Sequence, residues 1–381
     1  MKKKKTSWKT YIWPVALFLV GVVCGFLVME NVDLTFLSEL SPRMKFLGYV
    51  LLIALIWLAY FLQIIVHEAG HLVFGLLSGY RFSSFRVGKW MLLKKNGKMT
   101  IKKFFLAGTG GQCLMIPPNT DEKKPPIAWF LLGGSIMNLI SGTLFLVLAL
   151  LTQAWIWVSL FCGMSAFFGF LYALVNGIPM KTNLIANDGA NVLSLRKDAD
   201  AARDFCRHLM INAKNTEGIR LRDMPSEWFD FPSAEALQNN AFAETAVFAC
   251  NRLMDEQDFV QAEDRMQYLL RTDTAMAGVH RKLLICDLLY CELIGERRAE
   301  VLGELYTKEQ YNFMRSMQSF PSVIRTEYAY ARLYQHDSNK AAKLKAEFGK
   351  ISKTYPNEGD LACEKELIKR VDDVVRSSEP E

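Results

Sequence analysis

Uncharged apolar runs long enough to cross a bilayer recur four times in the first half of the chain. Thr10–Met29 and Phe46–Val66 contain no charged residue, and apolar character resumes over Leu72–Leu77. Ile127–Leu151 and Ala154–Met180 follow, parted only by Thr152 and Gln153. About 20 predominantly apolar residues span the hydrocarbon as a helix, so each run predicts a transmembrane helix and the last two an antiparallel hairpin. Between the second and third runs, Trp90–Leu93 and Met99–Phe105 flank Lys94-Lys95-Asn96-Gly97-Lys98, and an Asn-Gly pair so placed signals a β-hairpin. From about Asp198 the apolar positions change to 3- and 4-residue spacing. Phe259, Ala262, Met266, Leu269 and Leu270 form one stripe and Ala341, Leu344, Phe348 and Ile351 another. Paired helices of this size predict an α-hairpin array similar to tetratricopeptide repeats, although no fixed period of about 34 residues is found. The expected fold is mainly α. It comprises a polytopic membrane helix bundle of four spans with a small β-hairpin insertion, then a C-terminal α-helical domain. The expected boundaries are 1–45 for a basic start, anchor and external loop, 46–195 for the membrane core, and 196–381 for the helical domain.

Charge divides the chain the same way. Residues 1–190 carry 18 Lys and Arg against 7 Asp and Glu, whereas the rest holds 27 against 32. A single soluble domain is excluded, as is a disordered or collagen-like chain. Lys2, Lys3, Lys4, Lys5 and Lys9 precede the first run, only Arg43 and Lys45 lie between the first two, and residues 78–126 hold ten Lys and Arg. Basic segments stay on the cytoplasmic side. The expected protein is therefore a multi-pass cell-membrane protein with its N-terminus and C-terminal domain in the cytoplasm. The first run is read as a retained anchor in preference to a cleaved signal peptide, because no small-x-small site precedes Glu30. The lipid bilayer is an expected partner and nucleic acid is not. The eight cysteines are scattered and form no CxxC pair, which fits reduced thiols and not a disulfide framework.

Against this apolar background His67, Glu68 and His71 stand out as HEAGH at the end of the second run. An ionisable side chain at the centre of a membrane helix costs at least about 2.5–3.5 kcal/mol on insertion scales, so three within five residues require compensation. Positions i and i+4 share one face of a helix, and two imidazoles there can meet one tetrahedral zinc. Glu68, one step round the helix, is placed to act on a water as general base. Zinc needs a further protein ligand. His208, His280 and His336 lie in charged helical sequence and are expected to be solvated. At the end of the fourth run come Asn176-Gly177-Ile178-Pro179 and then Asn187-Asp188-Gly189, and Asp188 is the only acidic residue between Glu122 and Asp198. Irregular backbone at membrane depth is tolerated where it lines a cavity, so Asp188 is a candidate ligand or, alternatively, an interfacial loop residue or helix cap.

HExxH within a span, followed by Asn-x-x-Pro and then Asp-Gly after a later span, resembles the site-2 protease family of intramembrane zinc metalloproteases (peptidase family M50). The resemblance covers about residues 46–192. It implies that His67, His71 and Asp188 bind Zn2+ and that Glu68 activates water. It also matches Gly133-Gly134-Ser135-Ile136-Met137-Asn138 to a Gly-rich motif of that family. That makes Asn138 and Asn176 candidates for binding the substrate backbone or a developing oxyanion, the alternative being interhelical hydrogen bonds. The β-structure would hold substrate as an extended strand, and a basic hairpin also suits anionic lipid headgroups. One departure stands out: Met180–Asn187 places eight residues between Pro179 and Asp188, where the family usually has about four. Asn183 and Asn187 are then candidates to support the ligands. No PDZ-like stretch is seen.

The function expected from this resemblance is that of an intramembrane zinc metalloprotease. It would hydrolyse peptide bonds within or next to transmembrane segments or signal-peptide remnants, with a transmembrane protein or peptide as substrate and a possible protein partner through 196–381. A rival metalloprotease would take its third ligand from a glutamate on a soluble helix. The alternative of another class is a non-catalytic membrane scaffold that recruits partners through its helical domain.

Overall fold

The computed structural model describes residues 41–104, 109–118, 126–180 and 186–378. The expected first span, Thr10–Met29, lies outside the described residues. Among those residues three helices are long and apolar enough to cross a membrane: α1 (Pro42–Leu77), α2 (Ile127–Leu151) and α3 (Ile156–Gly177). Their large side chains face outward, Phe46, Trp57, Leu58, Leu144 and Leu150 each being more than half exposed or close to it. That is the reverse of a helix in water and suits a surface solvated by lipid tails.

The chain folds as two compact units. Among the described residues, one gathers 41–78, Ala128–Met180 and Asn187–Leu193; the other holds 79–104, 109–118, 126–127, Ala186 and 194–378. In the first, the helices meet through small residues, because lipid-solvated helices gain most from close backbone packing. A β-carbon on Gly70 of α1 would lie 2.3 Å from the Gly133 carbonyl oxygen of α2, and one on Gly169 of α3 would lie 2.8 Å from Gly142 Cα of α2. The short α4 (Asp188–Leu195) follows the end of α3.

The second unit begins with an antiparallel sheet of β1 (Arg81–Val87), β2 (Trp90–Lys95), β3 (Lys98–Lys103) and β4 (Gly111–Ile116), in the order β3-β2-β1-β4. The expected hairpin is β2–β3, with Lys95 opposite Lys98. Asn96 and Gly97 both take left-handed backbone, φ 48° and 76°, the requirement that makes Asn-Gly the preferred two-residue turn. The other two strands extend what the sequence showed as a hairpin alone. Met91 and Leu93 are buried. On their face of the sheet Lys95 and Lys102 both pair with Glu358, and Lys102 also donates to the Tyr355 carbonyl at 3.0 Å. Phe104 meets the rings of Tyr355 and Phe320 edge-on at 5.6 and 6.2 Å. The sheet thus packs with the helical half of the chain.

That half comprises α5 (Ala199–Thr216), α6 (Asn240–Glu256), α7 (Phe259–Arg271), α8 (Gly278–Ile294), α9 (Ala299–Leu305), α10 (Lys308–Ser316), α11 (Pro321–Ala329), α12 (Ser338–Ile351) and α13 (Glu358–Ser378). Three 3-10 turns separate α5 from α6, and a π-helical turn, Tyr330–Tyr334, prolongs α11. The first apolar stripe is the inner face of α7, where Ala262, Met266 and Leu269 are fully buried; Ala341 and Phe348 of the second are buried in α12. All seven cysteines among the described residues are free.

A buried ionic cluster lies inside this half. Arg325 of α11 pairs with Asp287 of α8, and its Nε stands 3.1 Å from Glu364 of α13. Burial pushes Glu364 up to about 7; Arg325 pulls the other way, while Asp287 and Asp360 add to the rise. A carboxyl raised on folding favours the folded state below its unfolded pKa and loses that contribution as pH climbs through the folded value. Stability of the helical half should therefore fall between pH 5 and pH 8, and Glu364→Gln should flatten that fall in denaturant titrations. A Glu364→Gln protein with the wild-type pH profile would remove Glu364 as the source.

Candidate metal centre

Because 3.6 residues make one turn, α1 stacks His67 and His71 on one side, and both are buried together with Glu68. Asp188, the first residue of α4, completes a triad. His67 Nε2 and His71 Nε2 are 3.2 Å apart, and Asp188 Oδ2 lies 3.3 and 3.4 Å from them. Nitrogen and oxygen donors at about 2.0–2.1 Å from a tetrahedral zinc stand about 3.3–3.4 Å from one another, so the triangle has the size of one face of such a site.

The other ring nitrogens decide what the triangle can hold. His71 Nδ1 donates to the Phe130 carbonyl at 2.9 Å, and His67 Nδ1 donates to Asn138 Oδ1 at 2.7 Å. With each proton on Nδ1, both Nε2 atoms carry lone pairs toward each other and toward a carboxylate oxygen. Three electron-rich atoms held so close repel unless a cation lies among them, and this donor set, two imidazoles and a carboxylate, is one that zinc takes. The Asp188 carboxylate supplies the third donor atom and the only negative charge of the three.

Packing brings these groups together. Asn138 is fully buried on α2, and its Nδ2 donates to Gln63 O and Oε1 at 3.0 and 2.8 Å, with Ser141 Oγ donating to the same Oε1 at 3.0 Å. Asn138 therefore stands behind His67 and fixes its ring. At Gly134 an added β-carbon would be 2.6 Å from His67 Cε1 and 2.7 Å from His71 Nε2; only a hydrogen fits there. Glu68 lies close to His71 and to Tyr172.

Of the eight residues singled out from the sequence, the structure brings His67, Glu68, His71, Asn138 and Asp188 together, with Asn187 adjoining Asp188, while Asn183 lies outside the described residues. Asn176 is half-buried near the end of α3 and donates to the Tyr172 carbonyl of its own helix at 3.2 Å. His208, expected in solvent, is instead buried, with Nε2 2.8 Å from Thr245 Oγ1, because charged neighbours along a helix do not decide which of its faces packs. Gln63 and Tyr172 went unnoticed. Gln63 had a signal, being a lone amide in an uncharged run one turn before His67; Tyr172, whose ring is 6.2 Å from that of His67, had none in an aromatic-rich helix.

The model of peptidase family M50 matches residues 55–353, the greater part of the chain. The chain belongs to peptidase family M50. No curated protein and no solved structure matches it. This M50 peptidase is a zinc metalloendopeptidase of the site-2 protease type, an intramembrane protease whose HExxH histidines and Asp188 form the zinc triad. It is a multi-pass membrane protein, its match reaching from α1 through the sheet into α12.

Proposed function

We propose that this M50 peptidase cleaves peptide bonds within or next to transmembrane segments or signal-peptide remnants, with Glu68 as general base. The observation that supports this best is the donor triangle of His67, His71 and Asp188, built among helices whose outer faces are apolar and exposed. Zinc bound there supplies a Lewis acid that draws electrons from a carbonyl and acidifies water. Glu68 takes a proton from the attacking water as the new C–O bond forms. It passes that proton to the amide nitrogen as the C–N bond breaks. Asn138 acts through His67, whose ring it holds, whereas the amide of Asn176 offers itself to the substrate backbone.

A peptide bond inside a helix is shielded by its own hydrogen bonds, so substrates with Gly, Pro or Asn near the cut should unwind most readily. Strands β3 and β4 lie at the two ends of the sheet order, and strand addition at a sheet edge is a common way of holding an extended segment. Exposed Trp90, Met99 and Ile101, with Lys103 over the Trp90 ring, suit lipid headgroups. In this reading residues 46–195 carry the catalytic groups, 196–381 recruits a protein partner, and both chain ends face the cytoplasm of the cell membrane.

The test compares the membrane proteomes of cells carrying the wild-type protein and Glu68→Gln, both as full-length chains with their zinc content measured. Intact forms of a membrane-spanning substrate should accumulate with Glu68→Gln, which keeps its zinc. Equal zinc and identical proteomes would overturn the assignment.

A further inference from the structure

Between Pro179 and Asp188 the chain has eight residues, yet Asp188 reaches both histidines. One side chain at that junction, Asn187, makes four hydrogen bonds.

α3 ends at Gly177, with Ile178 in extended backbone and Pro179 after it. In a continuing helix the carbonyl of Val175 would accept from the nitrogen of residue 179, but a proline has no N–H to give. A carbonyl left so at a helix end needs another donor. Asn187 Nδ2 supplies it, donating to Val175 O and Ile178 O, both at 2.6 Å. Its Oδ1 accepts from Met180 N and from Ala190 N, both at 2.9 Å. Its backbone N–H closes the same junction onto Met180 O at 3.1 Å.

Two donors and two acceptors exhaust the hydrogen-bonding capacity of an asparagine amide. They divide between two elements. Val175, Ile178 and Met180 belong to the end of α3, whereas Ala190 is the third residue of α4, whose N-cap is Asn187 itself. The side chain thus ties the broken end of one helix to the first turn of the next, and the ligand Asp188 is the adjoining residue. A separate contact acts the same way: a β-carbon on Gly189 would lie 2.3 Å from Gly177 O, so α4 starts hard against α3.

We infer that Asn187 is a positioning residue for the metal centre, a clasp that holds Asp188 at His67 and His71 whatever the length of chain between Pro179 and Ala186. The inference rests on the zinc reading of the triad and adds to it a residue that touches no metal. Capping alone is done as well by serine, which keeps an acceptor for Ala190 N but has no amide to reach Val175 and Ile178. Asn187→Ser therefore separates a clasp from an ordinary helix cap.

The experiment uses the full-length protein in nanodiscs, with zinc affinity from chelator competition and the visible absorption of the cobalt-substituted protein. Outer partners of metal ligands contribute about 10–100-fold to affinity, and Asn187→Ser should weaken zinc by that factor and change the cobalt spectrum. Asn187→Gln, which keeps the amide on a longer stem, should recover part of the loss. Circular dichroism shows whether the spans remain helical in each variant. Should Asn187→Ser fold and bind zinc with wild-type affinity and an unchanged cobalt spectrum, the clasp is refuted. If Asn187→Ser does not fold, Asn187→Asp decides in its place, since it keeps the size and the acceptor but loses both amide donors: wild-type affinity and spectrum there would refute the clasp. Wild-type protein that binds no zinc would instead overturn the metal centre itself, an outcome distinct from either.

Discussion

Asp188→Asn is expected to lower zinc affinity and turnover each by more than about 100-fold, since residues that merely orient metal ligands already contribute about 10–100-fold. The substitution preserves size and shape. What it removes is the negative charge 3.3 and 3.4 Å from the two imidazole nitrogens. An amide oxygen is a weaker ligand than a carboxylate for zinc, and in a site walled by apolar helices the missing charge is poorly replaced by solvent. Asp198→Asn is the matched control. Asp198 caps α5, accepting from the backbone of Asp200 and Ala201, and asparagine caps a helix about as well as aspartate. Metal content by mass spectrometry and cleavage of a membrane-embedded peptide should separate the two variants sharply. Equal behaviour would place the third ligand elsewhere, as in the rival that draws a glutamate from a soluble helix.

The second large effect is expected from the smallest change, Gly134→Ala. Zinc content should fall from about one per chain to near none, although alanine is the better helix former by about 1 kcal/mol. The new methyl would stand 2.6 to 2.7 Å from atoms of both histidine rings. Neither ring can swing away freely, because each is held through Nδ1 by Asn138 or by the Phe130 carbonyl. Nor can the helices part easily, with Gly70 and Gly133 in backbone contact one residue away. Circular dichroism should show undiminished helix while chelator competition shows the metal lost. Gly134→Ala protein holding zinc as tightly as wild type would mean that the rings or helices have room the geometry does not allow.

The metal ligands were legible in the sequence because an ionisable side chain in an apolar run has few explanations. His67, Glu68 and His71 sit at helical spacing, and spacing on a single helix is a local property. Asp188 was found by elimination among acidic residues and by resemblance, not by spacing. The groups that serve the ligands were harder to see. Asn138 was noticed, but its bond to His67 Nδ1 depends on how α2 crosses α1. Gln63 was passed over for the same reason, and the amide of Asn187 took meaning only once Val175 and Pro179 stood beside it.

The hairpin shows the same limit from another side. Its Asn-Gly turn is a local signal and the structure carries it. Chain order places it between two spans, yet its buried face packs with the helical half, through Glu358 and Tyr355 more than two hundred residues later in the chain.

By itself the sequence determined what depends on neighbours along the chain: the apolar helices, the one-turn spacing of the two histidines, the Asn-Gly turn, and the stripes of α7 and α12. Hydrophobic period and backbone preference act over a few residues, so they can be read there. Only the tertiary structure decided where the helices touch, which nitrogen of each histidine faces the metal, and how Asp188 arrives beside them. Those outcomes depend on glycines that let backbones meet and on amides that satisfy carbonyls far away in sequence. The energy of such contacts belongs to pairs of residues, and no single position in the chain carries it.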